Sequence, residues 1–147
     1  MRKFALAATA IFLLAGVSSA RAIDFQVGQV WNYDTRPGEE GSQIYVAKID
    51  RDLAPRTIYH IYVDGLRLKN PLIEGGEQDH LTHVPLSREA LEASVTGDPR
   101  SEIDLPNIAE GYVLWHEAFV KGQAGVFNAP VKEIVQHIED AFNQPRQ

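Results

Sequence analysis

The sequence predicts an α+β domain: an antiparallel β-meander of three to five strands covered by about three helices. Strand-type residues crowd its first half, and apolar stripes of helical period occupy its second, the order expected when helices pack on one face of a sheet. The segment over 23–147 also has the length of one domain with a single core.

The chain opens MRKFALAATAIFLLAGVSSARA. Arg2 and Lys3 form a basic start, residues 4–17 a mostly apolar run, and Ala20-Arg21-Ala22 a small-x-small cleavage site, the three parts of a secretory signal peptide. The run is short for a membrane span, which needs about 20 residues. No cysteine follows it, so no thiol is available for lipid attachment. The reading is a signal peptide over 1–22 and a soluble bacterial protein of the periplasm or secreted space over 23–147, without a membrane anchor after cleavage.

Removing Arg2, Lys3 and Arg21 from the 14 basic residues leaves 11 against 20 acids, a formal charge of −9. That charge disfavours nucleic acid and anionic lipid as partners. The absence of cysteine excludes disulfides, thiol chemistry and thiolate zinc sites.

Three strands are predicted over 29–35, 42–50 and 57–68, each rich in aromatic and β-branched residues. Asp64-Gly65 marks a bulge or tight bend in the third. Between the first two lies RPGEE, where Pro37-Gly38 suits the central positions of a type II turn. Ser87 is the expected N-cap of a short helix ending near Thr96-Gly97, and GDPRSEIDLP then reads as a surface loop. Asn107 and Glu110 resemble a capping box opening a helix to Lys121, with Ile108, Tyr112, Trp115 and Phe119 on one face and Gly122 as its stop. Val126-Phe127 suits a brief edge strand. Pro130 suits a first helical position, ahead of the stripe Val131, Ile134, Val135, Ile138 and Phe142.

The segment VGQVWNYDTRPGEEGSQIYV, through Val27, Gly28, Val30, Trp31, Tyr33, residues 35–40 and Ser42, resembles a group of small bacterial proteins with a VGxVWxYxTRPGEExS-like start. IYHIYVDGLRLKNP, HVPLS and GYVLWHEAFVKGQAGVF are similar to later blocks of that group. The resemblance implies a single intact domain over most of residues 23–147, and no activity, cofactor or catalytic residue.

Two readings of RPGEE compete. In one it is a solvated hairpin tip whose Arg36 pairs loosely with Glu39 or Glu40, an exposed pair worth about 0–1 kcal/mol. In the other it is a rigid charged recognition loop on a firm sheet. A glutamate acting there as general base would need a cleft and a raised pKa.

Asp79, His80 and His83 in DHLTH are the candidate metal ligands, with Glu74 or Glu77 to complete a set. Strict strand alternation would put His80 and His83 on opposite faces, which favours two ordinary histidines. His60 reads as a hydrogen-bonded sheet residue or the floor of a groove, and His116-Glu117 and His137 as boundary residues of helices. Trp31, Tyr33, Tyr45, Tyr59 and Tyr62 crowd the meander; most belong to the core, and any left on an open face suit ligand contact.

No G-x-S-x-G elbow, P-loop or dinucleotide fingerprint is present. The leading functional expectation is a non-enzymatic envelope binding protein of inhibitor or immunity type, without a cofactor, that takes an envelope protein or small ligand on Arg36, Glu39, Glu40, Tyr33 and Tyr45. The competing expectation is a small periplasmic hydrolase or metal-dependent enzyme built on His60, His80, His83 and nearby carboxylates.

Overall fold

The computed structural model describes residues 22–145, so the signal-peptide reading of 1–22 lies outside the described residues except at Ala22. Strands β1 (Gln29–Tyr33), β2 (Ile44–Asp50) and β3 (Ile58–Val63) form the meander predicted from their aromatic and β-branched content. Gly65, at φ +62°, turns the chain after β3; a Cβ there would stand 2.9 Å from Ser42 Cα. A minor ribbon of β4 (Leu68–Lys69) and β5 (Glu77–Gln78) follows, then β6 (Leu81–Leu86), helix α1 (Arg88–Ser94) and β7 (Val95–Ser101). Helices α2 (Ala109–Val120) and α3 (Val131–Phe142) complete the order. The main sheet runs β6-β3-β2-β1-β7, antiparallel at every pairing. The fold is α+β, as the sequence predicts.

One sheet face carries the main core. Trp31, Tyr33, Ile44, Val46, Tyr59, Ile61 and Val63 meet Leu91 of α1 and Val131, Ile134 and Val135 of α3 there, with Phe25 among them. Ile134 and Val135 fall on the predicted stripe, so α3 buries the face its period exposes in sequence. Ser87 caps α1 as expected, its Oγ accepting from Ala90 N at 3.1 Å.

Four expectations are corrected. GDPRSEIDLP is not simply a surface loop, because its first residues lie in β7, which pairs with β1 at the sheet edge. An edge strand with most side chains in solvent needs no apolar alternation and tolerates Pro99. Asn107 and Glu110 do not close a capping box; Asn107 Oδ1 accepts from Ala109 N at 2.9 Å, and Ile108 is the cap. Val126-Phe127 contributes one bridge, Phe127 to Leu86, rather than a strand. The helices do not all share a face, since α2 lies across the opposite side of the sheet, with Tyr112 and Trp115 against His60. No described helix is long and apolar enough to cross a membrane.

Candidate functional site

The RPGEE turn forms as its composition demands: Gly38 takes φ +86° and Glu39 N donates to Arg36 O at 3.1 Å. Its charges are not a solvated tip. Glu39 is 3% exposed, held by Arg36 Nε at 2.9 Å, Arg36 Nη2 at 2.6 Å and the Arg67 amide at 2.8 Å. Arg36 also donates to Gln136 and pairs with Glu139 of α3, and these carboxylates raise its pKa, the Glu39 bond most. Glu139 in turn accepts from Lys69 N at 2.7 Å. The turn is a clamp fastening α3 to the sheet, while Glu40 stays outside. The open groove beside it, about 690 Å³, faces four cationic side chains with four carboxylates, a balance that selects no ligand charge.

Tyr33 is likewise internal: it is 6% exposed, with its hydroxyl 2.7 Å from Ser42 Oγ. Tyr45 lies on the opposite sheet face and starts a row across adjacent strands. Its ring meets Tyr62 edge-on at 5.9 Å, and Tyr62 stacks on His80 at 5.5 Å and 13°. All three are partly exposed. Tyr45 Oη donates to Asp64 Oδ2 at 2.9 Å, and His80 Nδ1 lies 2.5 Å from Asp79 Oδ1. Arg100 of β7 sits over the Tyr45 ring, 5.9 Å from its centroid.

His80 and His83 share this face, contrary to strict alternation. Leu81 pairs with Val63 but Val84 with Ile61, so a register shift sets an extra β6 residue between them. His83 then stacks on His60 and His80 on Tyr62, two positions apart on β3. The structure gives the two histidines different partners. No group of three or more His, Asp or Glu able to hold a metal ion occurs among the described residues.

A second register shift, between Val46 and Lys48 of β2, turns Lys48 opposite His60 and Asp50 opposite Ile58. The result is a chain of titratable groups. Asp50 Oδ2 lies 3.0 Å from His60 Nε2, and His60 Nδ1 lies 2.9 Å from His83 Nε2. Tyr112 Oη donates to Asp50 Oδ2 at 2.8 Å, and Lys48 Nζ sits 3.0 Å from Asp50 Oδ1. An ionised Asp50 only accepts, so His60 carries its proton on Nε2; its Nδ1 then accepts from His83 Nε2–H.

Trp115 caps His60 edge-on at 4.9 Å and donates its Nε1–H to Gly125 O at 2.8 Å. Gly111 lets α2 approach, because a Cβ there would stand 2.7 Å from His83 Cβ.

Burial, then the neighbouring His83, drives His60 down to about 4, and burial also lowers His83. Burial alone would raise the Asp50 pKa, but the Lys48 and Tyr112 hydrogen bonds outweigh it and hold the carboxyl below its usual value. The set is a carboxylate and two neutral imidazoles in line, with a cation at one end.

Sequence spacing missed Lys48, Asp50 and Tyr112 as partners of His60. The one available signal was charge inside a strand, at Lys48 and Asp50. His116 lies beside Tyr112 at 5.7 Å, and His137 is exposed on α3.

Fold and site together define an α+β protein with one packed sheet face and one face bearing aromatic and histidine side chains. No protein-family model, curated protein or solved structure matches the chain.

Proposed function

We propose that this is an exported, non-enzymatic binding protein of the bacterial envelope, taking another envelope protein or a small ligand on the row Tyr45, Tyr62 and His80. One observation carries the reading: three partly exposed rings, from β2, β3 and the residue just before β6, lie in contact on the sheet face opposite the main core. Aromatic rings on a rigid sheet offer large contact area at small entropic cost. Arg36 and Glu39 face inward and leave the contact set, and of the turn's charges only Glu40 remains outside.

The test is affinity capture from envelope extract with the C-terminally tagged protein, comparing wild type with Tyr62→Ser, Tyr45→Ser and Glu40→Lys. One partner at near-equal stoichiometry, kept by Glu40→Lys and lost by both tyrosine variants, supports the row. Equal recovery by all four proteins removes it.

The Asp50–His60–His83 chain favours a second reading, a small envelope hydrolase in which His83 is the outermost imidazole of an oriented relay. Turnover of acyl or phosphoryl esters that disappears in His83→Ala would select it.

A further inference from the structure

Buried His60 and half-buried His83 are covered by a helix that is itself poorly buried. No residue of α2 is buried, and Val113, Leu114 and Val120 are 51%, 64% and 61% exposed. The helix bears on the sheet through Tyr112 and Trp115, whose rings lie at 5.0 and 4.9 Å from His60 and 6.1 and 5.8 Å from His83. Its hydrogen bond to the sheet runs from Tyr112 to Asp50.

The charged and titratable groups facing the pair are Lys48 and Asp50 of β2, each imidazole to the other, and Tyr112 of α2 with His116 beside it. The other charged residues of α2, Glu110 and Glu117, are exposed.

In the neutral pair one N–H bridges the two rings. One added proton fits: His60 donates from both nitrogens, to Asp50 and to His83, once His83 carries its own proton on Nδ1. A second proton has no place. It would set N–H against N–H across 2.9 Å and stack two cations at 5.1 Å, with Lys48 already below Tyr112.

We propose that the His60–His83 pair is a proton-operated latch on α2, holding the helix against the sheet until both imidazoles are charged and releasing it then. Release uncovers Tyr112, Trp115 and the buried ring of His60 on the same face as Tyr62. The latch is independent of what, if anything, the Tyr45–Tyr62–His80 row binds.

Hydrogen exchange read by mass spectrometry tests it on the purified protein between about pH 7 and pH 4, corrected for intrinsic exchange. Amides of residues 109–120 are expected to lose protection at least about tenfold on acidification, while β2 and β3 keep theirs. His83→Phe, which keeps a ring but no proton site, removes the response. Tyr112→Phe, which loses the bond to Asp50, moves release to higher pH. Unchanged protection of 109–120 at about pH 4 overturns the latch, as does loss in parallel with β2 and β3. An undiminished response in His83→Phe also overturns it. Should that variant not fold, wild type and Tyr112→Phe decide.

Discussion

Arg36 and Glu39, three residues apart across a glycine turn, form a two-point ion pair whose carboxylate is 3% exposed. Three ordered hydrogen bonds at one buried carboxylate make it a structural joint. Removing one partner of a buried pair strands the other, at about 3–5 kcal/mol. Glu39→Lys is therefore expected to lower the urea midpoint severely and to loosen α3, which Arg36 holds through Gln136 and Glu139. Glu40→Lys, one residue further on and exposed, leaves the midpoint unchanged. Equal midpoints for the two variants would contradict the joint.

Acid sensitivity has a defined window. His60 drops from 6.5 to about 4 on folding, so between those values the unfolded chain binds the proton first and stability falls as pH falls. The contribution is complete above about pH 6.5 and gone below about pH 4, with His83 acting in the same direction. The folded carboxyl of Asp50 lies below 3.8, so its contribution is lost only at lower pH; toward the acid end of the window the histidines are joined by Glu139, whose carboxyl is held below 4.5. The bound is about 3 kcal/mol for a ring with no exposed surface, less whatever α2 release relieves. Urea midpoints taken across the window are expected to decline toward acid. A flat profile would mean that neither imidazole is held neutral.

The meander and α3 were legible from composition and period: aromatic and β-branched runs mark β1 to β3, and a 3.6-residue stripe marks α3. The histidine chain was not legible, because it depends on two breaks in period. A shift in β2 brings Lys48 round to His60, and a shift in β6 brings His83 to the same face. No spacing rule places Asp50, His60 and His83 together when the sequence shows 10 and 23 residues between bonded partners. Glu39 failed differently, since turn chemistry specifies the backbone of RPGEE but not that the Arg67 amide closes on its carboxylate while α3 holds its partner Arg36.

Gly111 tests how closely α2 must approach β6. Alanine in a helix interior normally gains about 1 kcal/mol over glycine. Here the added Cβ would stand 2.7 Å from His83 Cβ, and overpacking costs about 1–3 kcal/mol. Strain outweighs propensity, so Gly111→Ala is expected to weaken α2 docking by roughly 1 kcal/mol. Faster amide exchange over 109–120, with β3 unchanged, would register it. Slower exchange there would mean that the helix has room to shift.

The hydroxyls of Tyr33 and Ser42 join the two ends of the RPGEE segment, 2.7 Å apart and both buried. Ser42 Oγ donates to Asp64 O at 2.5 Å, so it accepts from Tyr33, whose pKa burial pushes up to about 12 and which therefore keeps its proton. The asymmetry sets the costs. Tyr33→Phe removes one donor and leaves Ser42 bonded to Asp64, a loss of about 1 kcal/mol. Ser42→Ala orphans the Tyr33 hydroxyl and the Asp64 carbonyl together, at about 1–3 kcal/mol per group. Adding Tyr33→Phe to Ser42→Ala removes one orphan, so the double variant is expected to be more stable than Ser42→Ala alone. Urea midpoints of the three variants measure the coupling. Strictly additive losses would show the hydroxyls to be neighbours without a bond.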